Sequence, residues 1–549
     1  MITGSKQLYL SLSSGERRTF LGAAVVFVVA LVALIILIAW SHTAIVPARG
    51  GDYAEGVVGQ PTYVNPVLAA SDVDRGLVRL LFASLADVAQ KTEVDKTGRA
   101  WKIRLKEGLH WSDGEKLTSD DVIFTVQEIQ DPEAQSPLFS SWQGVAVSRL
   151  SELELQFNLA SPYAFFDENI RDLFVLPKHL FAETPPANWR LSAFNLKPVS
   201  SGPYRFDRYE QQQNGFITAY HLQANPRAAQ GRPFLENIDI RFFPNNGDLL
   251  AAFNAGNVDG FADPHQELIG AVNRPYDLIA FTLPNYYAVF WNQGQNLALK
   301  DAAVREALDR AVDRAALVED IFDGRAVPTA DPIPAGTGLE RAPTAVPPSL
   351  EDAKALLDAS GWKLGNDGFR AKAVKGGSVK LGFALTVPDI PFLKATAAAL
   401  EGRWRALGAN VTVQVTSIDD VTERAIKNRD YQALLFGNSV NPPSDLYPFW
   451  HSSERFYPGL NLALYDDKKV DQLLETIRRD FDPAKRAAEL IAFQTAVMAG
   501  HPAVFLYSPQ YLYVATRSLQ GVPGGLIAEP ADRFRDVAAW YLKTARTLK

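Results

Sequence analysis

The residue types that perform most enzyme and metal chemistry are present in this sequence, but their spacing matches no common reactive motif. The chain contains no cysteine, which excludes disulfides, thiolate metal sites and a cysteine nucleophile. Its seven histidines form no HxxxH or HExxH pair of the kind that binds zinc from one helix face. No nucleophile elbow, P-loop or glycine-rich dinucleotide turn occurs either. We therefore predict no catalytic residue, no metal site and no cofactor, and we expect the protein not to be an enzyme.

The composition is that of an ordinary globular chain with no basic character. Of the 549 residues, 47% are hydrophobic and 21% are charged, and 55 lysine and arginine residues face 62 aspartate and glutamate residues. A net charge of −7 provides no basic excess for phosphate contacts, so we expect no nucleic-acid partner. A chain of this length can bury a large core.

One segment near the N-terminus predicts a membrane helix. Residues 20–40 (FLGAAVVFVVALVALIILIAW) carry no charge and no proline, and about 20 apolar residues span the roughly 30 Å of a bilayer core. A cleaved signal peptide has an apolar region of only about 7–15 residues. We therefore favour an uncleaved anchor, and a cleaved signal is the alternative. The absence of cysteine excludes a lipidated cysteine as the anchor.

The charges before this helix predict its orientation. Lys6, Arg17 and Arg18 precede the apolar run, and the positive-inside rule then places residues 1–19 in the cytoplasm and the bulk of the chain outside. Residues 41–51 contain one proline and two glycines and are interpreted as a linker. The prediction is a single-pass protein of the cell membrane.

The remainder of the chain alternates strand and helix patterns, which predicts an α/β protein. Thr118 and Asp121 form a capping-box pattern that begins a helix. Residues 301–322 carry one apolar stripe and are interpreted as a single helix. Period-two patterns at 504–507 and 511–514 predict two short strands near the C-terminus. These elements must position whatever site the protein has.

Six short motifs follow one another along the chain. They are residues 101–130 (with LKEGLHWSDGEKLTSDDV), 175–180 (VLPKHL), 198–204 (PVSSGPY), 255–259 (AGNVD), 304–314 (VREALDRAVDR) and 352–362 (DAKALLDASGW). Together they resemble the bacterial extracellular solute-binding proteins of family 5, the substrate-binding proteins of ABC transporters for oligopeptides, dipeptides and nickel. The third motif departs from the family's usual Gly-Thr-Gly-Pro-Tyr. We expect Asp113, Gly114 and Asp121 of the first motif to be structural.

This resemblance implies a two-lobed periplasmic-binding-protein-like fold with an extra domain inserted in the first lobe. Lobe I is expected at residues 52–75, 200–285 and 505–549, the inserted domain at 76–199 and lobe II at 286–504. The chain would cross between the lobes twice, and the ligand would be enclosed between them.

The resemblance also implies candidate ligand-binding residues. In the first loop of the soluble part, Tyr63 and Asn65 are expected to border the cleft, and a turn fixed by two prolines is the alternative. In a later aromatic strand, Tyr286, Phe290 and Asn292 share one face because of their period of two. Family members place aromatic and Asn residues near the cleft there, and ordinary core packing is the alternative.

Residues 435–450 depart from the family pattern. Peptide binders of the family carry Trp and then Asp there, and the Asp carboxylate holds the free amino group of the peptide. This chain has Phe436 in place of the aromatic residue, Asn438 or Ser439 at the acidic position, and Asp445 as the next carboxylate. Because a buried ammonium needs a counter-charge, either Asp445 has taken over this role or the ligand lacks a free amine.

The implied function is that of the extracytoplasmic substrate-binding component of an ABC importer. Such a protein captures peptides or similar solutes between its lobes and delivers them to a permease with ATPase subunits. Two alternatives stay open: a membrane-tethered solute sensor or receptor without import, and an anchored hydrolase. A cytoplasmic tail of residues 1–19 is too short for a signalling domain, so a sensor would need a partner protein.

Overall fold

The computed structural model describes residues 13–263, 266–339, 349–441 and 445–548. Residues 1–12 of the predicted cytoplasmic tail therefore lie outside the described residues. The helices, in chain order, are α1 (Ser14–Ser41), α2 (Asp72–Leu81), α3 (Leu85–Val88), α4 (Ser119–Gln130), α5 (Phe139–Trp142), α6 (Phe166–Asp172), α7 (Lys178–Phe181), α8 (Asn246–Asn254), α9 (Ala302–Arg310), α10 (Arg314–Phe322), α11 (Leu350–Ala359), α12 (Pro391–Leu407), α13 (Ile418–Asp420), α14 (Tyr447–Trp450), α15 (Lys468–Arg479) and α16 (Pro483–Gly500).

Strands and short helices complete the secondary structure. The strands are β1 (Thr43–Ala48), β2 (Asp52–Val58), β3 (Ala89–Val94), β4 (Ala100–Leu105), β5 (Ala146–Ser151), β6 (Glu154–Asn158), β7 (Tyr204–Gln211), β8 (Ile217–Ala224), β9 (Asn237–Phe243), β10 (Gly260–Asp263), β11 (Asp277–Thr282), β12 (Asn285–Trp291), β13 (Ala326–Pro328), β14 (Lys363–Leu364), β15 (Arg370–Val374), β16 (Gly377–Lys380), β17 (Gly382–Pro388), β18 (Asn410–Thr416), β19 (Ala433–Ser439), β20 (Ala503–Ala515), β21 (Gly525–Leu526) and β22 (Lys543–Leu548). The short 3₁₀ helices are Pro186–Leu191, Ala193–Asn195, Ile269–Ala271, Ala298–Lys300, Ser452–Glu454, Pro530–Phe534 and Val537–Ala539, and Val421–Lys427 is a short π-helix.

The first helix is separate from the folded body. Within α1, the stretch Ser14–Ile35 contains an 18-residue window with a mean hydropathy of 2.5, none of which is buried, so the helix is long and apolar enough to cross a membrane. Strand β1 follows directly, inside the segment interpreted as a linker, and pairs antiparallel with the C-terminal strand β22. The connection between helix and body is therefore held by backbone hydrogen bonds.

One long strand joins the two halves of the largest sheet. The sheet runs in the order β18-β17-β19-β12-β20-β10-β2-β9-β8-β7. The first part of β20, through Pro509, pairs with β12 and β13, whereas the part from Gln510 onward pairs with β10 and β11. Strands β11 and β12 are joined by residues 283–284 alone. The chain therefore crosses twice between the halves, once in β20 and once at this short connection.

The prediction of two separate strands at 504–507 and 511–514 is wrong, because both belong to β20. Pro509 has no N–H to donate and suggests a break in the sequence pattern. In the structure it lies where the strand exchanges one set of partners for the other, so the missing donor does not interrupt a continuous ladder.

The buried side chains form distinct cores on the two sides of this junction. One core draws on residues 53–281 and 511–540, and it extends into the four-stranded sheet β3-β4-β6-β5. Two further cores draw on residues 286–507, with Phe165 contributing from the other half. The predicted two-lobed α/β fold is confirmed.

The first two sequence motifs hold one another in place. The capping box predicted at Thr118 and Asp121 is confirmed and begins α4. The Asp121 carboxylate accepts a second hydrogen bond, at 3.0 Å, from the backbone N–H of Lys178 in the second motif. Asp113 and the His179 ring lie 2.8 Å apart between the same two motifs. These contacts agree with a structural role for the motif residues.

The prediction of one helix over residues 301–322 is wrong. Helix α9 ends at Arg310, and α10 begins at Arg314. The break occurs because the Asp313 side chain accepts a hydrogen bond from the backbone N–H of Ala316 at 3.0 Å and caps a new helix. The apolar stripe continues across the break and conceals it in the sequence.

Candidate ligand-binding cleft

A cavity of about 540 Å³ lies where the two halves of the molecule face each other. Its walls come from residues 66–78 together with Glu529, from residues 137–174, and from residues 441–478. A larger cavity of about 690 Å³ lies over β7, β8 and β9, but one half of the molecule forms it alone. A site that closes around a ligand needs walls from both halves, so the cavity between them is the candidate site.

Asp445 and Arg478 form an ion pair in the wall of this cavity. The Arg478 guanidinium donates from Nε to both Asp445 oxygens, at 2.8 and 3.1 Å, and from Nη2 at 2.8 Å. The Tyr163 hydroxyl donates to the same carboxylate at 2.9 Å. The Asp445 side chain is 4% exposed, and such charge-assisted bonds are strong where water is excluded. Asp445 is therefore neutralised within the protein.

Aromatic rings fix the arginine of this pair. The Arg478 guanidinium lies 4.0 Å from the centre of the Tyr447 ring and 5.7 Å from that of Tyr163, which adds cation–π attraction. Burial, reinforced by the charge of Asp445, raises the pKa of Tyr163 far above its ordinary value. Tyr163 therefore stays protonated and continues to donate its hydrogen bond.

The opposite wall carries two carboxylates with raised pKa values. Burial is the main cause that raises the pKa of Asp172 to about 6, while Arg79 opposes the rise. Burial likewise raises the pKa of Glu529 to about 7, against the opposing charge of Arg75. Both carboxylates line the cavity. Their raised pKa values mean that ionising them in the empty cleft costs free energy.

Comparison with known proteins identifies the family. A family model described as bacterial extracellular solute-binding proteins, family 5 Middle, matches residues 65–457. The chain belongs to this family. The oligopeptide-binding protein AppA of Bacillus subtilis is 26% identical over 518 residues, which cover 90% of this chain and 92% of AppA. Protein XP55 of Streptomyces lividans is 29% identical over 499 residues and covers 85% of each chain.

Solved structures share the fold of this family-5 protein. AppA from Bacillus subtilis, in complex with a nonapeptide, superposes with a TM-score of 0.67 at 24% identity and covers 91% of this chain and 100% of its own. The ABC transporter substrate-binding protein CtaP from Listeria monocytogenes superposes with a TM-score of 0.75 at 21% identity and covers 90% of this chain and 99% of its own.

Tyr63 and Asn65 lie in the loop that leads to Pro66, a residue of the cavity wall. Tyr63 is half-buried, and its backbone N–H donates to the Asp74 carboxylate at 3.0 Å. The Asn65 side chain is buried and accepts a hydrogen bond from the backbone N–H of Val67 at 2.9 Å. In the family-5 structure both residues shape this loop, and a ligand role for them stays a prediction.

Tyr286, Phe290 and Asn438 lie in the core of the second half. The Tyr286 hydroxyl accepts hydrogen bonds from Asn438 Nδ2 at 3.0 Å and from Trp450 Nε1 at 3.2 Å. Burial raises the pKa of Tyr286 well above its ordinary value, so the hydroxyl stays neutral. Phe290 is 1% exposed in the same core. Asn438, at the family's acidic position, is thus engaged with a core tyrosine.

Asn292, Phe436 and Ser439 complete the set predicted from the sequence. Asn292 is buried, donates to the Arg429 carbonyl at 3.0 Å and accepts from the Gly294 backbone N–H at 3.1 Å. Phe436 is half-buried against the core that contains Tyr286, and Ser439 is exposed. Of the nine predicted residues, Asp445 belongs to the described cavity wall, and a ligand role for all nine stays a prediction.

The sequence analysis missed Tyr163 and the charged wall residues other than Asp445, which are Arg75, Glu168, Asp172, Arg478 and Glu529. Tyr163 and Asp445 are 282 positions apart, and no periodicity or motif links them. No signal in the sequence could have found this set, because the fold alone brings the residues together. Within the described ranges, no group of three or more His, Asp or Glu side chains is arranged to hold a metal ion.

Proposed function

We propose that this family-5 protein is the substrate-binding component of an ABC importer and that it captures peptides between its two lobes. The observation that carries the proposal is the cavity of about 540 Å³ that both halves line, within the roughly 300–1,000 Å³ typical of ligand pockets. The relative AppA is an oligopeptide-binding protein, and its solved structure holds a nonapeptide. These relatives support peptides as the solute class.

The wall of the cavity has the chemistry that an enclosed peptide requires. A buried amide without a partner costs about 1–3 kcal/mol, so the wall must supply hydrogen-bonding groups. Ser140, Ser141, Asn169 and Asn441 line the cavity and offer hydroxyl and amide groups. Trp142 and Tyr163 add apolar surface for side chains.

We further propose that α1 is an uncleaved membrane anchor, with the N-terminus in the cytoplasm and the two lobes outside. Its uncharged apolar run at residues 20–40 is long enough to span a bilayer. Arg546 of β22 lies 4.5 Å from the centre of the Trp40 ring at the end of the helix. The body would therefore sit close to the membrane surface, where a permease could receive the ligand.

Carbonate extraction of membranes tests the anchor. A spanning helix keeps the chain in the membrane fraction at its full mass of 60.4 kDa. A shortened chain in the soluble fraction would show that the N-terminal segment is a cleaved signal.

Peptide uptake by cells tests import. Deleting the gene should abolish uptake of labelled peptides, and the wild-type gene should restore it. Ser140→Trp places a large side chain in the cavity from an exposed wall position and should fail to restore uptake. Ser148→Trp, at an exposed position of β5 outside the wall, is the matched control and should restore it. Unchanged uptake in the deletion strain would contradict import and favour a sensor.

A further inference from the structure

The cavity wall carries more negative than positive charge. The described lining residues include four carboxylates and two guanidinium groups, those of Glu168, Asp172, Asp445, Glu529, Arg75 and Arg478. A cavity that removes charges from water needs them paired, because an unpaired buried charge is expensive. The empty cleft therefore has two negative charges that its own wall does not balance.

Two of the four carboxylates are neutralised by close partners. Arg478 donates three hydrogen bonds to Asp445. Arg171, one turn along the same helix, donates to Glu168 from outside the cavity wall. The unbalanced charge is consequently carried by Asp172 and Glu529.

Asp172 lacks a hydrogen bond at a buried atom. Its Oδ1 is buried and accepts no hydrogen bond from the part of the chain that the structure describes. Arg79 Nη2 lies 3.7 Å away, but this guanidinium is in much closer contact with Asp532. Although Oδ1 is buried, the Asp172 side chain as a whole is 34% exposed and lines the cavity, so a ligand can contact this side chain.

Glu529 shares its cation with another carboxylate. Arg75 Nε lies 3.2 Å from Glu529, while Arg75 Nη2 lies 2.6 Å from Asp72. The nearby charges of Asp532 and Asp172 both raise the pKa of Glu529. Arg79 and Arg535 pair with Asp532, so this cluster has three guanidinium groups for four carboxylates. A further cation placed beside Glu529 would be attracted by the excess negative charge.

We propose that this cleft selects a solute with a positively charged group, an ammonium or a guanidinium, and holds that group between Asp172 and Glu529. The inference rests on the proposed function. Asn438 donates to the Tyr286 hydroxyl, and Asp445 is already paired with an arginine. The wall that contains Asp445 thus supplies no free counter-charge from its described residues, and the positive group is held at the opposite wall.

The arrangement makes ligand binding depend on pH. The charged groups that act on Asp172 and Glu529 are Arg75, Arg79, Glu168, Asp532 and Arg535. Burial raises the pKa of Asp172 to about 6 and that of Glu529 to about 7, and a bound cation favours the ionised forms. Because both carboxylates are ionised at pH 8 and protonated at pH 5, affinity for a cationic solute should fall by about tenfold or more over this interval.

Peptide pools test the inference on the wild-type protein. Native mass spectrometry of the full-length chain in detergent micelles compares the binding of three random tetrapeptide pools. The first pool has free amino termini. The second is N-acetylated and contains no Lys or Arg, and the third is N-acetylated and contains Lys and Arg. We expect the first and third pools to bind at least about tenfold more tightly than the second at pH 8. Equal binding of the second pool would overturn the inference and leave the proposed function standing. Binding of no pool would overturn both.

Variants locate the contact. Asp172→Asn with Glu529→Gln should lower affinity for the two cationic pools by about tenfold or more and remove the pH dependence between 5 and 8. The matched control is Asp167→Asn, which changes a carboxylate of the same helix as Asp172. Asp167 is 53% exposed and lies outside the wall, so this variant should keep the wild-type affinity and the wild-type pH dependence. A double variant that keeps wild-type affinity and pH profile would overturn the assignment. If the double variant does not fold, the pH profile of the wild-type protein with the cationic pools decides, because pH-independent binding contradicts the assignment.

Discussion

Replacing Asp172 by Asn should stabilise the empty protein, although it weakens binding of a cationic solute. Burial raises the pKa of Asp172 from 3.8 to about 6, so the folded protein holds this proton more tightly than the unfolded chain does. The contribution of this group to stability is therefore present in full below about pH 3.8 and is lost as pH rises from there through 6. Asparagine cannot ionise, so the variant avoids that loss.

The magnitude follows from the shift and the exposure. The rise in pKa from 3.8 to about 6 corresponds to roughly 3 kcal/mol at about 1.4 kcal/mol per unit. Because the side chain is 34% exposed, solvent screening reduces this to about 1 kcal/mol. We expect Asp172→Asn to raise the free energy of unfolding by about 1 kcal/mol at pH 8 and by less than about 0.3 kcal/mol at pH 4.

Urea unfolding of the full-length chain in detergent micelles, followed by tryptophan fluorescence, measures this difference. Asp167→Asn is the matched control, and its exposed carboxylate should change stability by less than about 0.5 kcal/mol at either pH. No gain for Asp172→Asn at pH 8, or an equal gain at both pH values, would refute the reasoning about the empty cleft.

Three further substitutions test other parts of the structure by the same urea assay. Arg478→Gln leaves the Asp445 carboxylate buried without its cation and should lower the free energy of unfolding by about 3 kcal/mol. Adding Asp445→Asn removes the unpaired charge and should recover most of this loss. Arg533→Met leaves the Glu55 carboxylate, whose side chain is 0% exposed, without its guanidinium partner. This variant should lower the free energy of unfolding by about 3–5 kcal/mol. A methyl group at Gly260 would overlap a buried tyrosine hydroxyl of β2, so Gly260→Ala should cost about 1–3 kcal/mol. A change below about 0.5 kcal/mol in any of these would contradict the corresponding contact.

Individual helices and strands could be predicted because their signals are local, whereas the two-lobed arrangement was implied by the family resemblance. The capping box at Thr118 and Asp121 lies within four consecutive residues and requires no knowledge of the rest of the chain. The two errors, at Asp313 and Pro509, concern residues whose effect depends on partners. Asp313 divides a helix that keeps one apolar stripe, and Pro509 fits a strand because the pairing changes there.

The cleft could not be predicted in the same way, because distant residues form it. Asp445 could be singled out as the next carboxylate after a position where the family carries one. Its neutralisation by Arg478 and Tyr163 could not be foreseen, because the sequence does not show which side chains meet across the cavity. Asn438 illustrates the same limit, since its hydrogen bond to Tyr286 depends on the pairing of β12 with β19.

Native mass spectrometry of the freshly purified full-length chain tests the central claim most directly. Wild-type protein and the Ser148→Trp control should each carry one small ligand, released on denaturation and identified as peptide by fragmentation. Ser140→Trp, which places a large side chain in the cavity from its wall, should carry no ligand. A wild-type protein without bound ligand that also ignores every peptide offered, or a Ser140→Trp variant that still carries ligand, would contradict capture between the lobes.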